Sequence, residues 1–226
     1  MPDLAQRIEQ LKSLTLTRHI GPEALQYLAR QAQPRSFQAN EIIYHQGDPG
    51  TTCHILLRGK VRVYVSTIDG QELSVNILGR GEIVGEMALF EDLPRSATVE
   101  AMGPTQTLEL YRETLIASLK QYPDLALALL RALSSRLRHA TKEAEGLASL
   151  TVVERLQRQL QQLADLTGHP VSDGTRITVP LTQQELATLV GTSRESVNRA
   201  LAQLRRKKKI RLDRGWIVLL GSDGGA

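Results

Sequence analysis

Cysteine is nearly missing from this sequence, Cys53 being the only one in 226 residues. An intramolecular disulfide and an iron–sulfur cluster held by four cysteines of one chain are thereby excluded. Aromatic residues make up 4% of the chain, so its cores must be built from Leu, Ile, Val and Ala. Long apolar runs are missing as well. The longest, Leu125 to Leu130, is far short of the ~20 residues that span a bilayer, and no membrane association is expected. Met1-Pro2-Asp3-Leu4 lacks the basic-then-apolar texture of a secretory leader, so the expected location is the cytoplasm. The five histidines, His19, His45, His54, His139 and His169, are scattered without a supporting pattern. They read as surface or core residues, and neither haem nor a bound metal is expected.

Charge is present, but unevenly. Residues 151–226 hold 12 Lys/Arg against 7 Asp/Glu, a net +5, which leaves 16 against 17, a net −1, for residues 1–150. A basic excess confined to the last third suits a domain that meets phosphate.

Residues 1–33 carry Leu4, Ile8 and Leu11, then Ala24, Leu25 and Leu28, at helical spacing, interrupted by Gly21-Pro22. From Arg35 the texture turns to short Val/Ile/Leu/Tyr stretches punctuated by glycine. Lys60 to Val65 alternates polar and apolar, and Asp69-Gly70 between two such runs signals a hairpin. An antiparallel jelly roll, a double-stranded β-helix, is predicted over about residues 35–118. Pro123-Asp124 then opens a long helix, on which Leu130, Leu133, Leu137, Ala140, Ala144 and Leu147 recur at spacings of 3, 4, 3, 4 and 3. That repeat reads as a coiled-coil seam, so a homodimer through residues 121–149 is expected. A further helix over about 151–167 stops at Thr167-Gly168-His169-Pro170, and residues 171–180 form a short strand pair or loop.

Thr182-Gln-Gln-Glu185 is a capping box opening a short helix through Val190. Gly191 supplies the left-handed residue of a tight interhelical turn. Ser193 caps a second helix with Val197, Ala200, Leu201 and Leu204 inward and Arg194, Glu195, Asn198 and Arg199 outward. Arg pairs bidentately with guanine and Glu accepts from cytosine, so this face suits base reading in the major groove of double-stranded DNA. The basic run Arg205 to Lys209 follows. Ile210 to Leu212 and Trp216 to Leu219 then read as a two-stranded wing, with Trp216 as its core anchor.

The stretch Leu181 to Arg199 resembles the helix-turn-helix of the cyclic-AMP receptor protein / fumarate-nitrate regulator (CRP/FNR) family, and the similarity extends over nearly the whole chain. It implies an α+β protein: a cyclic-nucleotide-binding-like jelly roll (1–120), a dimerisation helix (121–149) and a winged helix-turn-helix domain (150–226). It further implies a bacterial transcription regulator, often an activator working with RNA polymerase. By the same resemblance Arg194, Glu195 and Arg199 read a palindromic TGTGA-like site, while Thr182, Gln184 and Ser193 contact phosphates.

Gly81 to Val99 (GEIVGEMALFEDLPRSATV) resembles the phosphate-binding cassette of cyclic-nucleotide domains. Its residues suit a cyclic phosphate, which calls for an Arg, a hydroxyl and backbone N–H groups. Arg95, Ser96 and the amides after Gly85 can supply them. Glu86 can accept from a ribose 2′-hydroxyl, and Met87 lies in the same segment. Cyclic AMP is the expected effector. In the family's cyclic-AMP receptors a Thr-Ser pair on the dimer helix binds adenine, and the aligned residues here are Ala140 and Thr141. Thr141 keeps a hydroxyl and Ala140 does not. An effector-independent regulator, or one using another small molecule, is therefore the alternative. A metal-dependent enzyme of the cupin type shares the jelly-roll scaffold, but it needs a close His pair with a Glu and a later His. His45 and His54 stand nine apart, and the next histidine is His139. No enzyme is expected.

Overall fold

The computed structural model describes residues 3–66, 72–179, 181–213 and 215–220, with only the backbone described at 143, 147 and 148. The Asp69-Gly70 turn, the Leu147 side chain and Arg214 fall outside the described residues. Two units divide the chain, Met1–His139 and Ala140–Ala226.

In the first unit, α1 (Leu4–Lys12) starts on an Asp3–Gln6 capping box, and α2 (Pro22–Gln31) starts on Pro22, where a missing N–H costs nothing. The strands are β1 (Gln33–Phe37), β2 (Ile42–Tyr44), β3 (Thr52–Arg58), β4 (Val61–Ser66), β5 (Glu72–Leu78) and β6 (Ile83–Val84). After the one-and-a-half-turn α3 (Glu86–Glu91) come β7 (Thr98–Ala101) and β8 (Thr105–Tyr111). They form two four-stranded antiparallel sheets, β1-β8-β3-β6 and β2-β7-β4-β5.

The run Cys53 to Leu57 on β3 is buried at every position. Cys53, Ile55 and Leu57 join the helices in one core, with Leu11, Leu28, Leu115 and Leu129 among its members. Leu56 points the other way, to a smaller core with Val61, Leu78, Val84 and Val99 inside the barrel. A strand covered on both faces reads as a mostly apolar run, whereas β4 alternates in sequence and is fully buried only at Val61 and Tyr64. At ~1.5–3 kcal/mol per fully buried Leu, Ile or Val, these two layers supply the hydrophobic drive of the unit.

The barrel ends sooner than the sequence suggests. Arg112–Gln121 is a helix, α4, which buries Leu115 and Ser118, so the last strand stops at Tyr111 instead of near 118. No glycine or proline lies between Thr105 and Tyr122 to mark that change.

The long helix α5 (Pro123–Ser149) begins where expected. Its first turns bury Leu125, Ala128 and Leu129 in their own unit's core, and Leu133 packs against the same core. The opposite face leaves Leu127 (49% exposed), Leu130 (57%) and Leu137 (70%) in solvent. The apolar stripe therefore differs from the expected one. Leu133 is shared with the barrel, and Leu127, Leu130, Ser134 and Leu137 form the open face.

In the second unit α6 (Val152–Thr167) is capped by a Thr151–Glu154 box and buries Leu156, Leu160 and Leu163. β9 (Gly168–Val171) and β10 (Gly174–Ile177) follow, then α7 (Gln183–Val190), α8 (Arg194–Arg206), β11 (Ile210–Asp213) and β12 (Trp216–Leu220). The predicted two-stranded wing is half of a four-stranded antiparallel sheet, β11-β12-β10-β9, because β10 pairs with β12 as well as with β9. Gly168 to Val171, read as a stop signal followed by a short strand pair or loop, is an edge strand paired with β10. Pro170 is tolerated there because an edge strand has a side that needs no donor. Trp216 is half-buried, so the wing's core residues are instead Ile217 and Val218.

Candidate functional site

The first candidate site lies where β6 runs into α3. Gly85 caps α3 in the left-handed conformation, at φ +84°. A Cβ there would stand 2.6 Å from Arg95 Nη1 and 3.2 Å from the Thr52 carbonyl oxygen and from the Tyr44 hydroxyl. Glycine is required both for the angle and for the space, which Arg95 and Tyr44 occupy.

Arg95 is pinned through its backbone. Gly47 N–H donates to its carbonyl at 2.9 Å, and its own N–H donates to the Asp48 carbonyl at 2.9 Å. The residue is 5% exposed. Its guanidinium donates to the Gly85 carbonyl at 2.8 Å and to the Thr52 hydroxyl at 3.3 Å. Nε is buried without a partner. A cation held by two neutral acceptors carries an uncompensated desolvation cost, which an anion would relieve. The site thus fits a phosphate. The Ser96 hydroxyl is exposed beside it, 4.0 Å from the sulfur of half-exposed Met87.

Glu86 is buried but does not pair with Arg95. Its Oε1 accepts from Arg136 Nη1 at 2.7 Å, and Arg136 Nη2 also donates to the Ile83 carbonyl. Burial raises the Glu86 carboxyl above the ordinary range, while Arg136 pulls it back. Arg136, Tyr44 and Thr52 were not recognisable as site residues from the sequence. Arg136 lies 50 positions from Glu86, and no local pattern links them. Ala140 and Thr141 are both exposed on α5, in the second unit.

The second candidate site is the α7–α8 pair. Thr182 Oγ1 accepts from Glu185 N–H at 3.1 Å, and Glu185 Oε2 accepts from Thr182 N–H at 2.6 Å. Gly191, at φ +66°, ends α7, and Arg155 of α6 donates to the Val190 carbonyl at 3.0 Å, tying that end down. Ser193 Oγ caps α8 by accepting from Ser196 N–H at 3.3 Å. Val197, Ala200, Leu201 and Leu204 are buried, and Arg194, Glu195, Asn198 and Arg199 are exposed together. Arg194 Nε reaches Gln183 Oε1 at 3.4 Å, and Arg199 Nη2 donates to the Ser196 hydroxyl at 3.0 Å. Glu195 keeps a depressed pKa, chiefly through its own backbone amide and then the Ser193 hydroxyl, so it stays ionised as an acceptor. Thr182, Gln184 and Ser193 stand exposed at the helix starts, and Arg205 to Lys209 is exposed throughout.

Known proteins share this arrangement. Residues 34–122 match the cyclic nucleotide-binding domain, and residues 154–223 match the Crp-like helix-turn-helix domain. Over 204 residues the chain is 32% identical to the CRP-like cAMP-activated global transcriptional regulator of Mycobacterium tuberculosis, covering 90% of this chain and 91% of that protein. It is also 32% identical over 207 residues to the cyclic AMP receptor protein of Thermus thermophilus, covering 92% of this chain and 93% of that one. The solved structure of the c-di-GMP responsive global regulator CLP of Xanthomonas campestris superposes with a TM-score of 0.76 at 29% identity, covering 89% of this chain and 100% of that one. An α+β chain with a cyclic nucleotide-binding domain ahead of a DNA-binding helix-turn-helix is a transcription regulator by class. The chain belongs to the CRP/FNR family. Among the described residues no helix is long and apolar enough to cross a membrane.

Proposed function

We propose that this protein is a cytoplasmic, homodimeric regulator that binds cyclic AMP and then recognises a palindromic TGTGA-like DNA site, from which it works with RNA polymerase. In this reading 1–120 senses the effector, 121–149 dimerises and 150–226 binds DNA. The observation that carries the reading is Arg95, a buried guanidinium with neutral partners and one unpartnered N–H, next to the buried Glu86.

The bound nucleotide would supply one negative charge and a ribose hydroxyl. Arg95 and Ser96 hold the charge, with Gly85 leaving the guanidinium room. Glu86, oriented by Arg136, accepts from the hydroxyl, and Met87 flanks the site. The role expected of Thr141 toward the base rests on the family resemblance alone. The open face of α5, Leu127, Leu130, Ser134 and Leu137, supports dimerisation, since so much exposed leucine on one helix face is costly in a monomer. Two-fold symmetry would set the α8 helices about 34 Å apart, one DNA turn. Arg194, Glu195, Asn198 and Arg199 then read bases, while Thr182, Gln184 and Ser193 fix the register on phosphates. Ligand shifts DNA affinity only if it binds the DNA-competent state more tightly.

Isothermal titration of nucleotide-stripped protein with cyclic AMP, paired with anisotropy on a TGTGA-containing duplex, tests this. Saturable binding near one per subunit that raises DNA affinity is expected. Ala140, which lacks a hydroxyl, favours a second reading, in which DNA is read in the same way but another effector or none is used. No heat with cyclic AMP, and DNA binding indifferent to it, would select that second reading.

A further inference from the structure

We infer that Tyr44 is a positioning residue of the nucleotide pocket, its ring serving as the platform that holds the Arg95 guanidinium in the orientation from which it meets a phosphate. The inference rests on the cyclic-nucleotide reading above.

The geometry is that of a cation laid on a ring, with Arg95 Cζ 4.1 Å from the centre of the Tyr44 ring. Arg95 donates in its own plane to Gly85 and Thr52, and those two bonds alone do not stop the head from tilting. A face-on ring removes that freedom and stabilises the positive charge at the same time. Tyr44 is placed there by an irregularity of the backbone. The pairing of β2 with β7 shifts register between Ile42 and Tyr44, and such breaks re-aim a side chain.

The ring is braced from behind as well. It stacks on the imidazole of His54, with centroids 6.5 Å apart and planes at 29°. His54 Nδ1 lies 3.1 Å from the Thr107 hydroxyl, and Nε2 lies 3.9 Å from Glu109, which is itself paired with Arg35 at 2.7 Å. The neighbouring Phe37 ring meets His54 edge-on at 5.9 Å. A chain of contacts from β1 through β8 and β3, with His54, Thr107 and Glu109 buried, therefore ends on the back of Tyr44. Burial raises the Tyr44 hydroxyl above its ordinary pKa, so the ring carries no negative charge of its own at neutral pH. An aromatic face at this position, more than a hydroxyl, is what the arrangement uses.

The test is isothermal titration of nucleotide-stripped full-length protein with cyclic AMP, comparing wild type, Tyr44→Phe and Tyr44→Leu. Tyr44→Phe should bind within about twofold of wild type, and Tyr44→Leu roughly tenfold more weakly, the loss of one partly buried cation–ring contact. Urea unfolding of each variant checks the fold, and Tyr44→Met replaces Tyr44→Leu if the latter is not folded. Rescue by phenylalanine distinguishes a platform from a hydroxyl ligand, and a loss of affinity in a variant with a native unfolding midpoint distinguishes it from a purely structural contact. Equal affinity in all variants, or a loss in Tyr44→Phe as large as in Tyr44→Leu, would overturn the inference while leaving the nucleotide reading intact. Absence of binding in the wild type would overturn both.

Discussion

The Glu86–Arg136 pair gives the sharpest quantitative test of the pocket. Glu86 is 4% exposed at its side chain and Arg136 25%, and their charges approach to 2.7 Å. At an effective dielectric constant of 20, that separation corresponds to a gross attraction of about 6 kcal/mol, before either group's desolvation is counted. Removing one partner of a buried pair typically costs ~3–5 kcal/mol, because the other charge is left uncompensated. The exposed quarter of Arg136 lets water screen part of that, so about 2–4 kcal/mol is expected for Arg136→Met. Glu86→Gln should cost less, since the remaining guanidinium keeps the Ile83 carbonyl as partner and can reach solvent. In the double variant no charge is stranded. Its loss should fall short of the summed single losses by about 2 kcal/mol. Urea unfolding of the four proteins at pH 7 measures this directly. A coupling within about 0.5 kcal/mol of zero would refute the claim that these two side chains hold each other, and with it the orientation assigned to Glu86.

Three further outcomes are expected. Arg199→Ala should weaken binding to a TGTGA-like duplex by ~1–3 kcal/mol and relax discrimination at one base pair per half-site. Equal weakening on all DNA sequences in anisotropy would remove its base-reading role. His54, whose pKa burial and then Arg95 and Arg35 depress to about 4 from 6.5, should make the protein acid-sensitive. Below about pH 6.5 the unfolded chain takes up a proton that the folded chain refuses until about pH 4, so stability falls by about 2 kcal/mol between pH 7 and pH 5. The raised Glu86 carboxyl acts in the opposite direction as the pH falls, so the contribution of His54 is read from the difference between wild type and His54→Gln. If that variant keeps the full slope between pH 7 and pH 5 in urea unfolding, His54 is not its source. Leu137→Glu should dissociate the proposed dimer, raising its dissociation constant more than a hundredfold because both copies lose a leucine that the proposed seam would bury. Leu133→Ala should mainly lower the stability of the folded unit. Sedimentation equilibrium distinguishes the two, and an unchanged mass for Leu137→Glu would sink the proposed seam.

What could be read from the sequence was local or periodic. The Thr182–Glu185 box, the left-handed Gly191 and the Ser193 cap act within a few residues, and the buried and exposed faces of α8 follow from the 3.6-residue repeat. The glycine-punctuated strands and the start of α5 at Pro123 were legible for the same reason. The residues of the proposed pocket, Gly85, Glu86, Arg95 and Ser96, lie within one short segment and could be singled out together. Their partners were not. Arg136 reaches Glu86 from 50 residues away, and Tyr44 lies under Arg95 because of a register shift that no sequence pattern announces. Likewise β10 joins the wing by pairing with β12, some 44 residues along the chain, and not through a turn. On α5 the sequence repeat joined Leu130, Leu133 and Leu137 in one stripe. Only the packing of Leu125, Leu129 and Leu133 onto the barrel turned Leu133 inward and left Leu127, Leu130 and Leu137 exposed. Capping, turn geometry and periodicity are settled by atoms a few bonds apart, so the sequence by itself determined them. Partner choice and facing depend on which surfaces tertiary packing brings together, and only the folded structure decided those.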